Sequence, residues 1–302
     1  MGYARLKGQE MRGVWQLLSF NFMHDRRFAP INLVDLWAHM HPSPIAPEKV
    51  NPIPKQAGSN RIGIVMAGRE SRRSLPIPVL ASCVQSVFQA RGGPDLVCLG
   101  STQERPLVRR LLRELSPAAA RKVEDRTGQT SLTDLPDLMR GLDMILTPDT
   151  GAMHLAAHLG VPVQAFFLSS AWCWETGPYG FGHKVWQSLA ECSPCRESEA
   201  CKRDVACLNA FCHDSFIAHL SGRFQEGWPE GLLGCISTLD SLGVTYKAVD
   251  GDDVYQDGRS GLRNGLIEHL GLAGDNEASP FMSQDLAEFL FREKDWMLPP
   301  NW

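Results

Sequence analysis

The apolar positions of the chain fall into two kinds of run. Short continuous runs bounded by glycine or proline read as buried strands, and stretches with apolar residues three or four apart read as helices. Arg61-Ile62-Gly63-Ile64-Val65-Met66-Ala67 is the first strand-like run, ending at Gly68. Pro76 to Ala90 follows as a helix with proline in its first turn. Asp95 to Leu99 is a second strand closed by Gly100, and Glu104 to Leu115 a second helix. Arg121 to Glu124 reads as a short strand, Leu135 to Gly141 as a helix and Asp143 to Thr147 as a strand. Gly151 to Leu159 is a helix and Val163 to Phe167 a further strand. Strands alternating with helices at this spacing predict right-handed βαβ units and a parallel sheet, an α/β Rossmann-like fold with flanking helices.

The flanks differ. Residues 1–40 read as a helical fragment, with Leu33, Leu36 and Trp37 at helical spacing and Asn32 as a cap. His41 to Pro54 carries prolines at 42, 44, 47, 52 and 54, which predicts an extended linker. This gives three parts: 1–54, a nucleotide-binding domain at 55–221, and an irregular or helical C-terminal tail at 222–302, to which no role is assigned. Within the tail, Ser283 to Arg292 reads as a capped helix.

Composition narrows the class. With 43% apolar residues over 302 positions, the chain can bury a real core. A net charge of -4 argues against a general nucleic-acid binder, which needs a basic face. The most apolar stretch, Leu155 to Leu168, is interrupted by His158, Gly160 and Pro162 and is too short to span a bilayer. The N-terminus shows no signal-peptide pattern, so the expected compartment is the cytoplasm, where the nine cysteines would stay reduced.

In a parallel sheet, ligands bind beyond the carboxyl ends of the strands. Three loops lie there. Pro148-Asp149-Thr150-Gly151 joins a strand to a helix whose first-turn amides and dipole suit an anion. Gly151 has no Cβ to block an approaching ligand, and Thr150 offers a hydroxyl. The bland reading of the same residues is a helix cap at Asp149 or Thr150, with His154 a packed residue. Gly68 to Ser74 brings Arg69, Arg72 and Arg73, suited to paired contacts with phosphate oxygens or to a plain solvated loop. Glu175 to Gly180 could close over a base or sugar, or be a simple Gly-Pro turn. No Gly-x-Gly-x-x-Gly follows the first strand, which leaves a Rossmann oxidoreductase without support.

The segment Leu146 to Pro162, with Asp149, Thr150-Gly151, Met153-His154, Leu155-Ala156-Ala157 and Leu159-Gly160-Val161-Pro162, resembles the signature of the family 9 glycosyltransferases, the lipopolysaccharide heptosyltransferase family. Gly128-Gln129-Thr130-Ser131-Leu132 and Thr176-Gly177-Pro178-Tyr179-Gly180 resemble further segments of that family, in the same order. The resemblance spans about residues 15 to 215 and implies the donor-binding, C-terminal half of a GT-B enzyme that inverts at the sugar carbon. It implies that Asp149 contacts the donor sugar of an ADP-heptose-like nucleotide sugar. Thr150, Gly151, Ala152, Met153 and His154 would hold the diphosphate, with Gly68, Arg72, Arg73, Thr176 and Gly177 around it. The match to the family's basic segment is loose: here it reads Arg72-Arg73-Ser74-Leu75-Pro76.

The acceptor would be a lipopolysaccharide-type or other glycan, lipid-linked, which would bring the protein to the inner face of the membrane as a peripheral partner. The family's opening strand and glycine-rich loop, with the aspartate proposed as catalytic base, have no counterpart here, so the base is unassigned. The isolated chain is expected to bind donor and transfer it poorly, unless a partner chain supplies the acceptor half. The competing reading is a non-catalytic nucleotide-sugar or zinc-binding module that acts through a partner. No cofactor is expected for the transfer itself. Cys192-Ser193-Pro194-Cys195 resembles half of a zinc knuckle, and Cys201 and Cys207 are candidate further ligands, with Cys212 and His213 nearby. The alternative for these cysteines is free thiols in a structural loop.

Overall fold

The computed structural model describes residues 26–41, 43, 45–66, 71–196, 199–223 and 226–272. Eight strands form one sheet in the order β3-β2-β1-β4-β5-β6-β7-β8. They are β1 (Arg61–Val65), β2 (Asp95–Leu99), β3 (Val123–Asp125), β4 (Met144–Pro148), β5 (Val163–Phe167), β6 (Lys184–Ser188), β7 (Leu232–Asp240) and β8 (Gly243–Asp250). The first six are parallel, and β7 and β8 continue the sheet antiparallel. The parallel part has the 3-2-1-4-5-6 order of a nucleotide-binding α/β sheet, so the chain is Rossmann-like, as its pattern predicts.

Two cores flank the sheet because successive strand side chains point to opposite faces. On one face, Ile62, Ile64, Leu96, Cys98, Leu146 and Phe166 pack under α2 (Ile77–Ala90), α3 (Arg105–Glu114) and α8 (Asp214–Leu220). On the other, Val97, Ile145, Ala165, Phe167 and Val185 meet α6 (Gly151–His158). Two one-turn helices, α4 (Pro117–Ala120) and α7 (Cys173–Thr176), and the short α5 (Leu135–Arg140) fill the connections. The predicted strands and helices between 61 and 167 fall within a few residues of those observed, β3 being shifted to Val123–Asp125.

The flanks depart from the linker-and-tail picture. A third core joins Ala29, Ile31 and Leu36 of α1 (Leu33–His39) and its approach to Leu242 at the β7–β8 turn, to Leu262 and Leu266 of α9 (Gln256–His269) and to Leu270 at its C-cap. Asn32 caps α1 by accepting from the Val34 amide, as its position predicts. The expected boundary after 221 is crossed by the sheet, since β6 pairs with β7 from Lys184↔Ile236 to Ser188↔Leu232. Among its described residues the proline-rich stretch contains one 3-10 turn, Pro47–Lys49, and its C-terminal end is held against the sheet domain. The Lys55 amide donates to the Gly160 carbonyl (2.9 Å), and Asn51 bonds both Tyr179 and His158. The helix read at 283–292 lies outside the described residues, as do 1–25.

Two buried arginines fasten the hairpin. Arg263 of α9 donates to Asp240, to the Gly243 carbonyl and to the Pro30 carbonyl. Arg259 pairs with Asp253, donates to the Arg27 carbonyl, and lies over the Trp174 ring at 3.5 Å. Asp35, 2% exposed, accepts from the Tyr179 hydroxyl (2.5 Å) and the Val244 amide (2.9 Å). Gly243 is required beside it: its φ is +130°, and a Cβ there would lie 1.9 Å from the Asp35 carboxyl carbon.

Candidate functional site at the switch point of the sheet

In a 3-2-1-4-5-6 sheet the strand order reverses between β1 and β4, and the loops leaving their carboxyl ends part to leave a crevice. Residue 66 and the 3-10 turn Ser71–Arg73 leave β1, and Asp149-Thr150 leave β4. An ion pair between Arg73 and Asp149 brings these two loops together. Arg73 donates to the Asp149 carboxylate and to the Asp149 carbonyl (3.2 Å). The Thr176 hydroxyl donates to the same carboxylate (3.1 Å), so all three sequence-predicted loops meet at Asp149.

Asp149 is only 6% exposed. Its carboxylate therefore orders the three loops from beneath. Thr150 is extended (φ -149°, ψ 165°) and caps α6, its hydroxyl accepting from the Met153 amide at 3.4 Å. The Thr147 hydroxyl lies 3.2 Å from that of Thr150 and fixes the cap from β4. At the start of a helix the first amides have no intrahelical acceptor. Here that start is open: Gly151 is exposed, and an added Cβ would meet nothing within 4 Å. His154, one turn on, is half exposed, with Nε2 3.8 Å from Asp149 Oδ1. Partial burial holds its imidazole below the usual value against the pull of Asp149, and Arg73 lowers it further.

The other predicted positions divide. Arg72 lines a neighbouring cavity with Ser169 and the cysteines. Ala152 is half-buried at the helix start. The Met153 side chain is fully buried in the core, so it presents no side-chain surface to a ligand. Gly177 is a correction to the expected donor contact: a Cβ there would lie 2.3 Å from the Tyr246 hydroxyl, and its amide bonds the Cys173 carbonyl (2.8 Å). It is a close-packing glycine under β8. Gly68 lies outside the described residues.

Glu175 opens the third predicted loop, but its pairing with Arg26 has no local mark in the chain. Glu175, on α7 beside Thr176, is 4% exposed and receives three hydrogen bonds from Arg26 at 2.5–3.0 Å. Arg26 also donates to the carbonyls of Ser170 and Cys195. Burial drives the Glu175 carboxyl up to about 7 despite the hydrogen bonds and charge of Arg26, and Asp149 adds to the rise. A residue 149 positions away in sequence thus steadies the loop that reaches Asp149.

Residues 87–205 match the model of glycosyltransferase family 9 (heptosyltransferase). The resemblance seen in the Pro148–His154, Gly128–Leu132 and Thr176–Gly180 motifs is borne out, since all three lie inside that segment. It covers about two fifths of the chain; Arg72 and Arg73 precede it, and Cys207 and the β7–β8 hairpin follow it. No curated protein matches the chain. Several solved structures are similar over part of it, three of them as follows. E. coli ADP-heptose LPS heptosyltransferase II is 22% identical over 41% of this chain and 37% of its own, with a TM-score of 0.38. The family 9 glycosyl transferase from Veillonella parvula is 22% identical over 43% and 36%, at 0.38. E. coli heptosyltransferase WaaC with ADP is 21% identical over 42% and 37%, at 0.35. The chain spans under two fifths of the length of each of these proteins. With overlaps this partial, the reading of the site rests on its own geometry.

Proposed function

We propose that the crevice between β1 and β4 binds a nucleotide-diphosphate sugar and that the chain serves in transfer of the sugar to a glycan-type acceptor. The carrying observation is the open start of α6 at the switch point of the sheet, with Gly151 exposed and space above it. The diphosphate accepts from the Gly151 and Ala152 amides, and the helix dipole adds about 0.3–1 kcal/mol. Asp149 holds Arg73 and Thr176 in place below, and His154 flanks the sugar side in its neutral form. An ADP-heptose-like donor fits this reading, because the similar E. coli proteins are named for ADP-heptose or bear ADP.

Transfer by direct displacement places growing charge on the leaving diphosphate. Fixed amides and an arginine stabilise charge where it develops, so no metal is required for this step. The acceptor hydroxyl needs a base, to which no residue of the described chain is assigned.

Gly151→Val tests the assignment. Its side chain would fill the space proposed for the diphosphate, while open surroundings keep the cost to the fold at a few tenths of a kcal/mol. Calorimetric titration with ADP-heptose should show at least about a tenfold loss of affinity, roughly 1.4 kcal/mol, with an unchanged melting temperature. Equal affinity in the variant would remove the helix start from the binding site.

A further inference from the structure

A cavity of about 340 Å³ opens where the last strand of the sheet meets α9. β8 ends the sheet, so one side of its backbone has no neighbouring strand. Two observations fix which residues face that side. The Val244 amide donates to Asp35 rather than to β7. Ser237, opposite Tyr246, exchanges its backbone bonds with Gly182 and His183 on the β6 side. Outward and inward residues alternate along an antiparallel strand, so the backbone groups of Tyr246 and Ala248 also point outward. Both residues line the cavity, and among the described residues none bonds their outward N–H and C=O groups. Tyr246 is only 4% exposed, and backbone groups so placed call for a partner that enters the cavity.

Three features decide what fits. The open edge is short: Asp35 covers it at Val244, and the ladder shifts register between Gly234 and Cys235, just past Ala248. That stretch is too short for an added peptide strand, which typically runs about 5–6 residues. The charges are largely matched already. Arg263 holds Asp240 through two hydrogen bonds and Arg259 pairs with Asp253, both arginines being buried and fixed. Lys247 is left over, so a ligand of high charge meets an opposing group while one acidic group is tolerated. Finally, the polar groups are of both kinds. Asp240 accepts, the amides of Gln256 and Asn264 donate and accept, and Arg259 offers its Nε–H, which bonds no described residue. A hydroxyl also donates and accepts at once, so a molecule dense in hydroxyls satisfies the strand edge, the amides and the paired charges together.

We propose that the cavity between β8 and α9 is a saccharide-binding site, separate from the donor crevice, that holds a sugar unit by its hydroxyls. Its volume lies in the range of small-molecule sites, roughly 300–1,000 Å³. Hydroxyls on one side of the sugar pair with the Tyr246 and Ala248 backbone, and those on the other with Gln256 and Asn264. Trp174 lines the cavity and stands two residues before Thr176, whose hydroxyl reaches Asp149, so α7 touches both sites. The sugar held there is part of the glycan-type acceptor. That last assignment rests on the function proposed above, whereas saccharide binding at the cavity does not.

The test is NMR titration of the isotope-labelled full chain with lactose, methyl α-mannoside and glucuronate. The expected result with at least one of them is saturable shifts of the Tyr246 and Ala248 amides and of the Gln256 and Asn264 side-chain amides, with a dissociation constant on the order of millimolar. Gln256 and Asn264 are exposed, so replacing both by alanine should leave the melting temperature unchanged and weaken binding at least about fivefold. No saturable response to any of the three sugars, shifts confined to the donor crevice, or equal affinity in the double variant would overturn the proposal. So would saturation by an acetylated Val-Thr-Val amide and not by the sugars, which would mark strand addition at β8 instead. If the double variant fails to fold, the shift map of the unaltered chain still decides. A parallel titration with ADP separates the two sites. Loss of the sugar response with ADP binding intact sinks this proposal alone, and the converse sinks the donor assignment alone.

Discussion

Arg26→Ala is expected to lower the unfolding free energy by about 3 kcal/mol, because it strips a buried carboxylate of its counter-charge. Broken buried pairs cost roughly 3–5 kcal/mol, and the lower end applies here for two reasons. Arg26 is 23% exposed at its side chain, and Glu175, already raised to about 7, can escape part of the penalty by taking a proton. The sign of the pH dependence follows. With the folded pKa raised further and the unfolded one at the ordinary 4.5, the variant keeps this stability at low pH and loses it as pH rises through neutrality. Urea unfolding at pH 5 and pH 8 should show the larger cost at pH 8, and Glu175→Gln added to Arg26→Ala should flatten the difference. A cost under about 1 kcal/mol, equal at both pH values, would show that the pair does not hold the loop.

The second large effect concerns Asp35. Burial raises its carboxyl from 3.8 to about 7, against the hydrogen bonds of Tyr179 and Val244 and the charge of Arg263. A group whose folded pKa is raised contributes stability that is complete below the unfolded value and is lost as pH climbs through the folded one. A shift of this size corresponds to roughly 4 kcal/mol as an upper bound, spread over about pH 4 to 7. Asp35→Asn removes the titration, so the unaltered chain should lose stability relative to the variant as pH rises across that window. Parallel stability profiles for the two proteins would show that Asp35 ionises in the fold as it does in water.

Between residues 61 and 167 the fold is legible in the chain because buried parallel strands are continuous apolar runs punctuated by glycine and proline. The same chemistry placed Asp149, Thr150 and Gly151 at a strand-to-helix turn on the ligand edge. Beyond Phe167 the signal weakens. β6 begins with Lys184, half-buried against Trp186 at 4.3 Å, so it lacks a clean apolar run. The hairpin was nonetheless readable in principle: Val244, Tyr246 and Ala248 alternate after an Asp240-Ser241-Leu242-Gly243 turn, the period of a half-buried strand.

Missing the hairpin had a consequence for the site. Without Tyr246 in place, Gly177 reads as a ligand-loop glycine, when its lack of a side chain serves packing against that ring. Arg73 shows the other limit. Its charge is visible in the sequence, but the choice between a phosphate and the Asp149 carboxylate is made by the β1–β4 junction. The pairing of Arg26 with Glu175 has no local pattern, since it is set by how the N-terminal segment packs along α9 and the sheet edge.

The central claim is that the amides at the start of α6 hold a diphosphate. Amide-resolved NMR of the isotope-labelled chain, titrated with ADP and with ADP-heptose, tests it directly. The account predicts saturable shifts of the Gly151 and Ala152 amides toward hydrogen-bonded values with both ligands, alongside perturbation of His154 and Thr176. Saturation with those amides unmoved, or no saturable response to either ligand, would contradict it.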